Sequence, residues 1–292
     1  MLLMKILITG GSGFLGSHVA DELAKRGHKV KIFDKKKSRW IKKNQKIFVG
    51  NILNYNKTAK AIKGVDIIFH LAALSDLEDA MFKPLETVRN NILGTVNILE
   101  LSKKYKVKRI IYASSIYSIS VQGGFYRCSK KAAEDYIEEY YKRYGLNFTI
   151  LRYGSLYGVR SGRTNGIYRI VKNALDKKKI EYDGKKNSIR KYINVIDAAK
   201  ATSNIISPKY KNKYVNITGK KSYKVTDLFK ILSGHLEIPY KVKYLKTLRV
   251  GHYIKHPKLY KIKNGINYHF KNNIKFSNGI KFLINSMKNI KH

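Results

Sequence analysis

The chain has 292 residues, 43% of them hydrophobic, and carries 60 Lys and Arg against 19 Asp and Glu, a formal charge of +41. That length supports a sizeable core, as one unit or as a core with an appended lobe, and no apolar run approaches the ~20 residues of a membrane span. Cys128 is the single cysteine, which excludes an intrachain disulfide and a cysteine-based metal cluster and makes cytoplasm the expected compartment.

The opening MLLMKILITGG reads as a first strand, because Lys5 interrupts the apolar residues and a glycine-rich turn arrives too early for a leader. In GSGFLGSHVADELAKRG, Phe14, Leu15, Val19 and Leu23 recur at helical spacing and Gly27 follows as a stop. HKVKIFD, QKIFVG, VDIIFHLAA, VKRIIYASS and LNFTILRYG read as five further strands, with helices expected at about 54–63, 79–104 and 126–144. Strands alternating with helices predict right-handed crossovers and a parallel sheet covered on both faces. Beyond Gly158 a helix near 164–178, a strand near 189–195, a helix near 196–205, YVNITG and a helix near 224–234 can be read; the stretch from Leu245 is basic and irregular until a last amphipathic helix near 278–290. The expectation is an α/β chain with a Rossmann-type doubly wound parallel sheet over residues 1–157. Residues 158–292 form a smaller mixed α/β substrate lobe, with about 189–217 returning to the core.

Lysines are scattered along the chain, densest in DKKKSRWIKK and LDKKKIEYDGKK. The charge therefore reads first as drift toward A/T-rich codons, second as attraction for an anionic small molecule, and last as nucleic-acid binding.

TGGSGFLG sets Gly10, Gly13 and Gly16 between a strand and a helix. Such glycines permit a tight turn, close approach of backbone to a pyrophosphate, and close helix–strand packing, while the helix N-terminus offers N–H groups to the phosphates. Asp34 ends the second strand, where it can accept from ribose hydroxyls and repel a 2′-phosphate, which favours NAD over NADP; Lys35, Lys36 and Lys37 pull the other way.

Tyr126 and Lys130 are four residues apart on a predicted helix and share a face. Among 22 tyrosines the spacing recurs at Tyr168/Lys172 and Tyr182/Lys186, but neither follows a strand that ends in serine. A phenol with pKa about 10 becomes a usable base for a carbinol proton when an ammonium and the positive nicotinamide both favour the phenolate.

The spacing of these motifs resembles the extended short-chain dehydrogenase/reductase family, which includes the NAD-dependent nucleotide-sugar epimerases and dehydratases. GNIL, FHLAA, NNILGTVNILE, LRYGSLYG, IRKYINVIDAAKA, YVNITG and IKFSNGIKFLI fall in that family's order along nearly the whole chain. The resemblance implies a catalytic set of Ser115, Tyr126 and Lys130, with Ser114 as the alternative hydroxyl. It implies cofactor contacts from Gly10, Gly13, Phe14, Leu15, Gly16, Asp34, Asn51, Ile52, Leu71, Ala72, Ala73, Asn91, Ser114, Tyr126, Lys130 and Tyr153. Substrate contacts fall on Ser115, Ser155, Asn165 and Arg190, the last at the pyrophosphate. Departures are Asn51 for an Asp, Ser155 for an Asn, and Lys191 and Asn194 for an Asp and a His.

Family dehydratases and decarboxylases place carboxylates just after the hydroxyl residue, whereas Ile116 and Tyr117 follow Ser115 here. The segment from Ser115 to Tyr126 is also short for the family, which predicts a sugar pocket that is open or completed by another segment. The expectation is an NAD-dependent epimerase acting at C4 of a UDP-hexose, with no metal and with a homodimer through the helices near 79–104 and 126–144. An NAD(P)H-dependent 4-keto-sugar reductase is the nearest alternative. A dinucleotide-binding regulator or a basic nucleic-acid-associated protein is the non-enzyme one.

Overall fold

A computed structural model describes residues 3–245 and 265–289. From the N-terminus, β1 (Lys5–Thr9), α1 (Phe14–Lys25), β2 (Lys29–Asp34), β3 (Gln45–Val49), α2 (Tyr55–Ile62) and β4 (Ile67–His70) alternate as expected. Then come α3 (Leu77–Phe82), α4 (Pro84–Thr87), a π-helical turn (Val88–Leu93), α5 (Gly94–Lys104), β5 (Arg109–Ser115), a 3-10 turn (Ile116–Ile119), α6 (Gly124–Tyr144) and β6 (Phe148–Tyr153). The C-terminal part holds β7 (Ser155–Tyr157), α7 (Gly166–Lys177), β8 (Ile180–Tyr182), β9 (Ile189–Arg190), β10 (Tyr192–Asn194), α8 (Val195–Asn204) and β11 (Lys213–Ile217). It ends with β12 (Tyr223–Lys224), α9 (Val225–Leu236), β13 (Val242–Tyr244), β14 (Ile266–Asn267) and α10 (Phe276–Lys288). Most of the basic stretch after Leu245, residues 246–264, lies outside the described residues.

Eight strands form one sheet in the order β14-β11-β6-β5-β4-β1-β2-β3, and every pairing in it is parallel. The pleat sorts side chains to opposite faces. Ile6 and Ile8 pack with Val19, Leu23, Ala198 and Ala199 of α1 and α8, while Leu7 packs with Ile62, Ile98, Leu101 and Ile137 of α2, α5 and α6. The result is a three-layer sandwich whose strand order reverses between β1 and β4, and a crevice opens there at the strands' C-terminal ends.

One expected helix, 79–104, is three helical segments and a π turn. Pro84 cannot donate a backbone N–H and clashes with the preceding turn, and Lys83 leaves helical geometry at φ −127° and ψ 58°. The π turn then carries Asn91, whose amide donates to Leu74 O (3.0 Å) and Ser129 Oγ (2.9 Å) and whose oxygen accepts Leu74 N–H (2.7 Å). The strand expected at 189–195 is likewise two short strands, and Asn194 caps α8 by accepting Ile196 N–H at 3.0 Å.

A separate apolar cluster joins α7, α9 and α10 through Val171, Ala174, Leu228, Phe229, Ile280 and Leu283. Phe276 fastens α10 to it, stacked on Tyr192 with ring centroids 4.9 Å apart and edge-on to Tyr157 at 5.2 Å. After β6 the chain enters this lobe, returns to the sheet as β11, leaves again for α9 and β13, and regains the sheet edge as β14 before ending in α10.

Candidate active site

A cavity of about 750 Å³ runs along the crevice, from Asp34 at one end to Tyr182 and Lys185 at the other. At the first end, Gly10 adopts φ +72°, and a Cβ there would sit 2.7 Å from Ala72 N. A Cβ on Gly16 would come within 2.1 Å of Gly10 O, so α1 packs onto the turn only because that position is bare. Gly13 is the N-cap of α1 and brings no capping side chain, and Phe14 and Leu15 of the first helical turn line the cavity. Asp34 ends β2 with Oδ2 accepting Ser12 N–H (3.0 Å) and Oδ1 accepting Lys36 N–H (3.3 Å), which fixes both oxygens at the cavity mouth. Of the three lysines that follow, Lys35 reaches across the opening and donates to Asn90 Oδ1 at 2.9 Å.

Ile52, Leu71, Ala72 and Ala73 line the same wall. Asn51 does not; its side-chain oxygen accepts Leu53 N–H at 3.0 Å and shapes the turn behind the cavity. Asn91 is 1% exposed and also lies behind the wall, pinning Leu74 and α6 as described above. Tyr153 reaches the cavity, but its hydroxyl is hydrogen-bonded to Thr202 at 2.6 Å.

The reacting groups converge midway. Ser115 ends β5, and its Oγ accepts Tyr117 N–H at 3.3 Å, capping the 3-10 turn. Ser115 also faces the Tyr126 phenol closely enough to favour its ionised form. Lys130, one turn beyond Tyr126 on α6, donates to Ala113 O at 2.8 Å. Its ammonium nitrogen stands 4.8 Å from the Tyr112 ring centre and 5.8 Å from that of Tyr126.

Burial dominates the titration of both groups. It pushes the Tyr126 phenol up to about 12, with Ser115's hydrogen bond working against it. It pulls Lys130 down to about 7, opposed by the charge of Glu134. In the chain by itself burial dominates, because both side chains are less than a tenth exposed; the expectation that lowers the phenol joins the ammonium to the positive nicotinamide.

The other Tyr-x-x-x-Lys pairs do not assemble a second centre. Lys172 bonds Asp176 at 2.6 Å on the outside of α7, and Tyr182 lines the cavity while Lys186 is exposed. Ser114 also reaches the cavity wall, yet its hydroxyl donates to Glu134 Oε1 at 2.5 Å, which leaves Ser115 as the hydroxyl facing Tyr126.

Beyond the reacting groups, Ser75, Leu77, Ile116 and Tyr117 line the cavity from the first half of the chain, and Ser155, Asn165, Arg169, Tyr182, Lys185, Arg190 and Tyr192 from the second. Segments 75–77 and 182–188 contribute lining residues beside the short connection after Ser115. Asn165 reaches it as the N-cap of α7, accepting Tyr168 N–H at 3.1 Å and donating to Leu156 O at 2.7 Å. Arg190 is held by its own strand, donating to Ile189 O at 3.1 Å. Arg169, Tyr182, Lys185 and Tyr192 were not read from the sequence as site residues; LDKKKIEYDGKK, treated as a charge patch, contains two of them.

The glycine turn, the uncapped helix start and the paired oxygens of Asp34 fit a dinucleotide in shape and in donor set. Among the described residues no cluster of His, Cys, Asp and Glu could hold a metal, and no helix is long and apolar enough to cross a membrane.

A protein of Methanocaldococcus jannaschii with the provisional name UDP-glucose 4-epimerase is 29% identical over 317 aligned residues, covering 97% of this chain and 98% of its own. The UDP-N-acetyl-alpha-D-glucosaminuronate decarboxylase of Bacillus cytotoxicus is 32% identical over 73% of this chain and 74% of its own. Among solved structures, the UDP-glucose 4-epimerase of Thermotoga maritima with UDP-glucose superposes with a TM-score of 0.88 at 26% identity, covering 99% of this chain and 100% of that one. Residues 6–218 match the family described as NAD dependent epimerase/dehydratase, and the chain belongs to it.

Proposed function

We propose that the chain is an NAD-dependent epimerase acting at C4 of a UDP-hexose. The observation that carries this reading is the convergence of Ser115, Tyr126 and Lys130 in the crevice, followed by Ile116 and Tyr117 where elimination or decarboxylation would need a carboxylate. The similarity to the Thermotoga maritima enzyme supports the choice of UDP and of C4.

The Gly10–Gly16 turn and Asp34 would hold NAD, with Leu71 to Ala73 along its length. NAD, when bound, supplies the reversible oxidation of the C4 carbinol. Tyr126 takes the proton from the C4 hydroxyl and later returns it. Ser115 donates to the phenolate and orients the reacting oxygen, and the Lys130 ammonium favours the phenolate electrostatically. Arg190, with Arg169 and Lys185 also lining the cavity, balances the pyrophosphate charge. Tyr182 and Tyr192 offer flat apolar surface to a base or sugar. Ile116 and Tyr117 present apolar surface on one side of the pocket, which leaves the 4-keto sugar room to turn over so that either face is presented.

The reading includes a division into a cofactor core (1–157) and a substrate lobe (158–292, with about 189–217 rejoining the core), a cytoplasmic location and a homodimer. Exposed Phe82, Leu85, Val88 and Leu93 before and at the start of α5, with Phe125 and Tyr136 on α6, support the dimer face.

The test is incubation of the purified chain with UDP-glucose, UDP-galactose and their N-acetyl forms, without added cofactor, with products followed by NMR. Interconversion of C4 epimers is expected, and Tyr126→Phe is expected to lower the rate by about 10²–10⁴-fold. Strict dependence on added NADH or NADPH would make the chain a 4-keto-sugar reductase instead.

A further inference from the structure

Directly behind the reacting groups lies a buried polar cluster that the chemistry above does not use. Glu134 stands one helical turn beyond Lys130 on α6 and is 1% exposed. Its carboxylate accepts four hydrogen bonds: from Ser114 Oγ (2.5 Å), Ser118 Oγ (2.7 Å), Arg152 Nε (3.0 Å) and Arg152 Nη2 (2.6 Å). Arg152, on β6, is 2% exposed and lies 4.3 Å from the Tyr214 ring centre.

A fully buried ion pair is an expensive way to hold a core together, and apolar side chains of the same size often do it as well or better. Stability alone therefore does not account for it, but its neighbours point to a role. Ser114 precedes Ser115 in the chain, and Ser118 Oγ also lies 2.8 Å from Ser115 O. One carboxylate thus grips both sides of the serine that faces Tyr126. It is also the anion near Lys130. The groups facing that lysine are Tyr126 and Glu134 on α6, Tyr112 and Ala113 O on β5, and His70 on β4, which burial holds neutral.

We propose that Glu134, clamped by Arg152, is a positioning residue of the reaction centre: it fixes the Ser114–Ser118 turn that aims Ser115 at Tyr126, and it is the counter-charge that keeps Lys130 an ammonium. Burial drives Lys130 toward the neutral amine, and Glu134 is the opposing charge. The consequence for turnover rests on the epimerase reading; the effect on Lys130 does not.

Two variants test it. Glu134→Gln keeps the shape but removes the charge, and Glu134→Gln/Arg152→Met also removes the cation that the first variant strands. Competitive acetylation with acetic anhydride across pH, read peptide by peptide by mass spectrometry, gives the labelling midpoint of Lys130. In a folded variant that midpoint is expected about one pH unit lower than in the parent. The alkaline limb of UDP-hexose turnover is expected to move with it, with kcat about 10²-fold lower and KM nearly unchanged. A folded variant with the parent's Lys130 midpoint and pH profile overturns the proposal. So does failure of both variants to fold, which would make the pair purely structural. A shifted midpoint in a chain whose parent turns over no nucleotide sugar supports the charge-setting role and sinks the epimerase reading.

Discussion

His70 shows how tightly the residue-level wiring of the crevice is drawn. Its Nδ1 lies 2.7 Å from Thr9 Oγ1 and its Nε2 3.0 Å from Thr95 Oγ1, which itself donates to Asn91 O at 2.7 Å. Thr95 is therefore the acceptor from Nε2–H, and Thr9 donates to Nδ1, so the ring is neutral and both nitrogens are used. Burial drives its pKa down to about 3, with the nearby Lys130 charge adding to the effect. In the unfolded chain the same ring titrates near 6.5, so unfolding takes up a proton between about pH 6.5 and 3. Stability from this group is complete above 6.5 and is lost as pH falls through that window, with a slope approaching ~1.4 kcal/mol per pH unit. Urea titrations across pH should show His70→Gln less stable at pH 7 but flatter toward acid than the parent; parallel curves would contradict the assignment. Ser115, Tyr126 and Lys130 were legible in the sequence because their relation is local, set by one strand end and one helical turn. Glu134 had the same kind of signal, four residues past Lys130, but its meaning depends on Arg152, which only the β5–β6 pairing brings beside it. Arg169, Tyr182 and Tyr192 reach the cavity by tertiary packing and leave no such trace.

Elements behave differently according to how much of their geometry is local. The turn from β1 to α1 could be read from three glycines because each bare position faces backbone, and the closeness of that approach grades the expected damage. Gly16→Ala puts a methyl 2.1 Å from Gly10 O, whereas Gly13→Ala meets the same atom at 3.2 Å. The first should cost about 1–3 kcal/mol and weaken NAD binding sharply, the second much less. Chemical denaturation together with NAD titration by calorimetry checks the order, and equal effects would remove the packing argument. The helix expected across 79–104 failed for a reason visible in the sequence, Pro84, but the π turn that follows had no comparable sign. It exists because Asn91 must reach Leu74 and Ser129 at once, a demand that comes from α6 and the β4–α3 connection.

For the whole molecule, the formal charge is +41, and the cavity gathers Lys35, Lys130, Arg169, Lys185 and Arg190 against Asp34, Asp76 and Asp183. That placement agrees with attraction for an anionic small molecule. The apolar side chains left exposed before α5 and along α6 carry the assembly prediction. Sedimentation should give a particle of twice the 33.7 kDa chain, and Leu85→Glu with Tyr136→Glu should yield a monomer that keeps its fold. A monomeric parent would rule out the dimer. The sheet itself was legible over its first six strands, which come with regular crossovers; β14 was not, since two residues of edge strand carry no periodicity of their own.

The chain's repeated passage between sheet and lobe has a mechanical consequence. A substrate lobe hung on one linker would swing, and a protease could cut the linker to release two folded pieces. Here β6 and β11 are hydrogen-bonded neighbours along five residue pairs, although the lobe's β7 to β10 lie between them in the chain. α10, the last element, packs back on the lobe after β14 has rejoined the sheet. The two halves are laced together, so no single bending point serves as a hinge. Limited trypsinolysis of the lysine-rich surface is expected to trim loops while the nicked fragments stay associated through gel filtration, and a freely migrating fragment of residues 1 to about 157 would show the lacing to be slack. Substrate entry is then expected to depend on loops at the rim of the cavity rather than on a hinge between its walls.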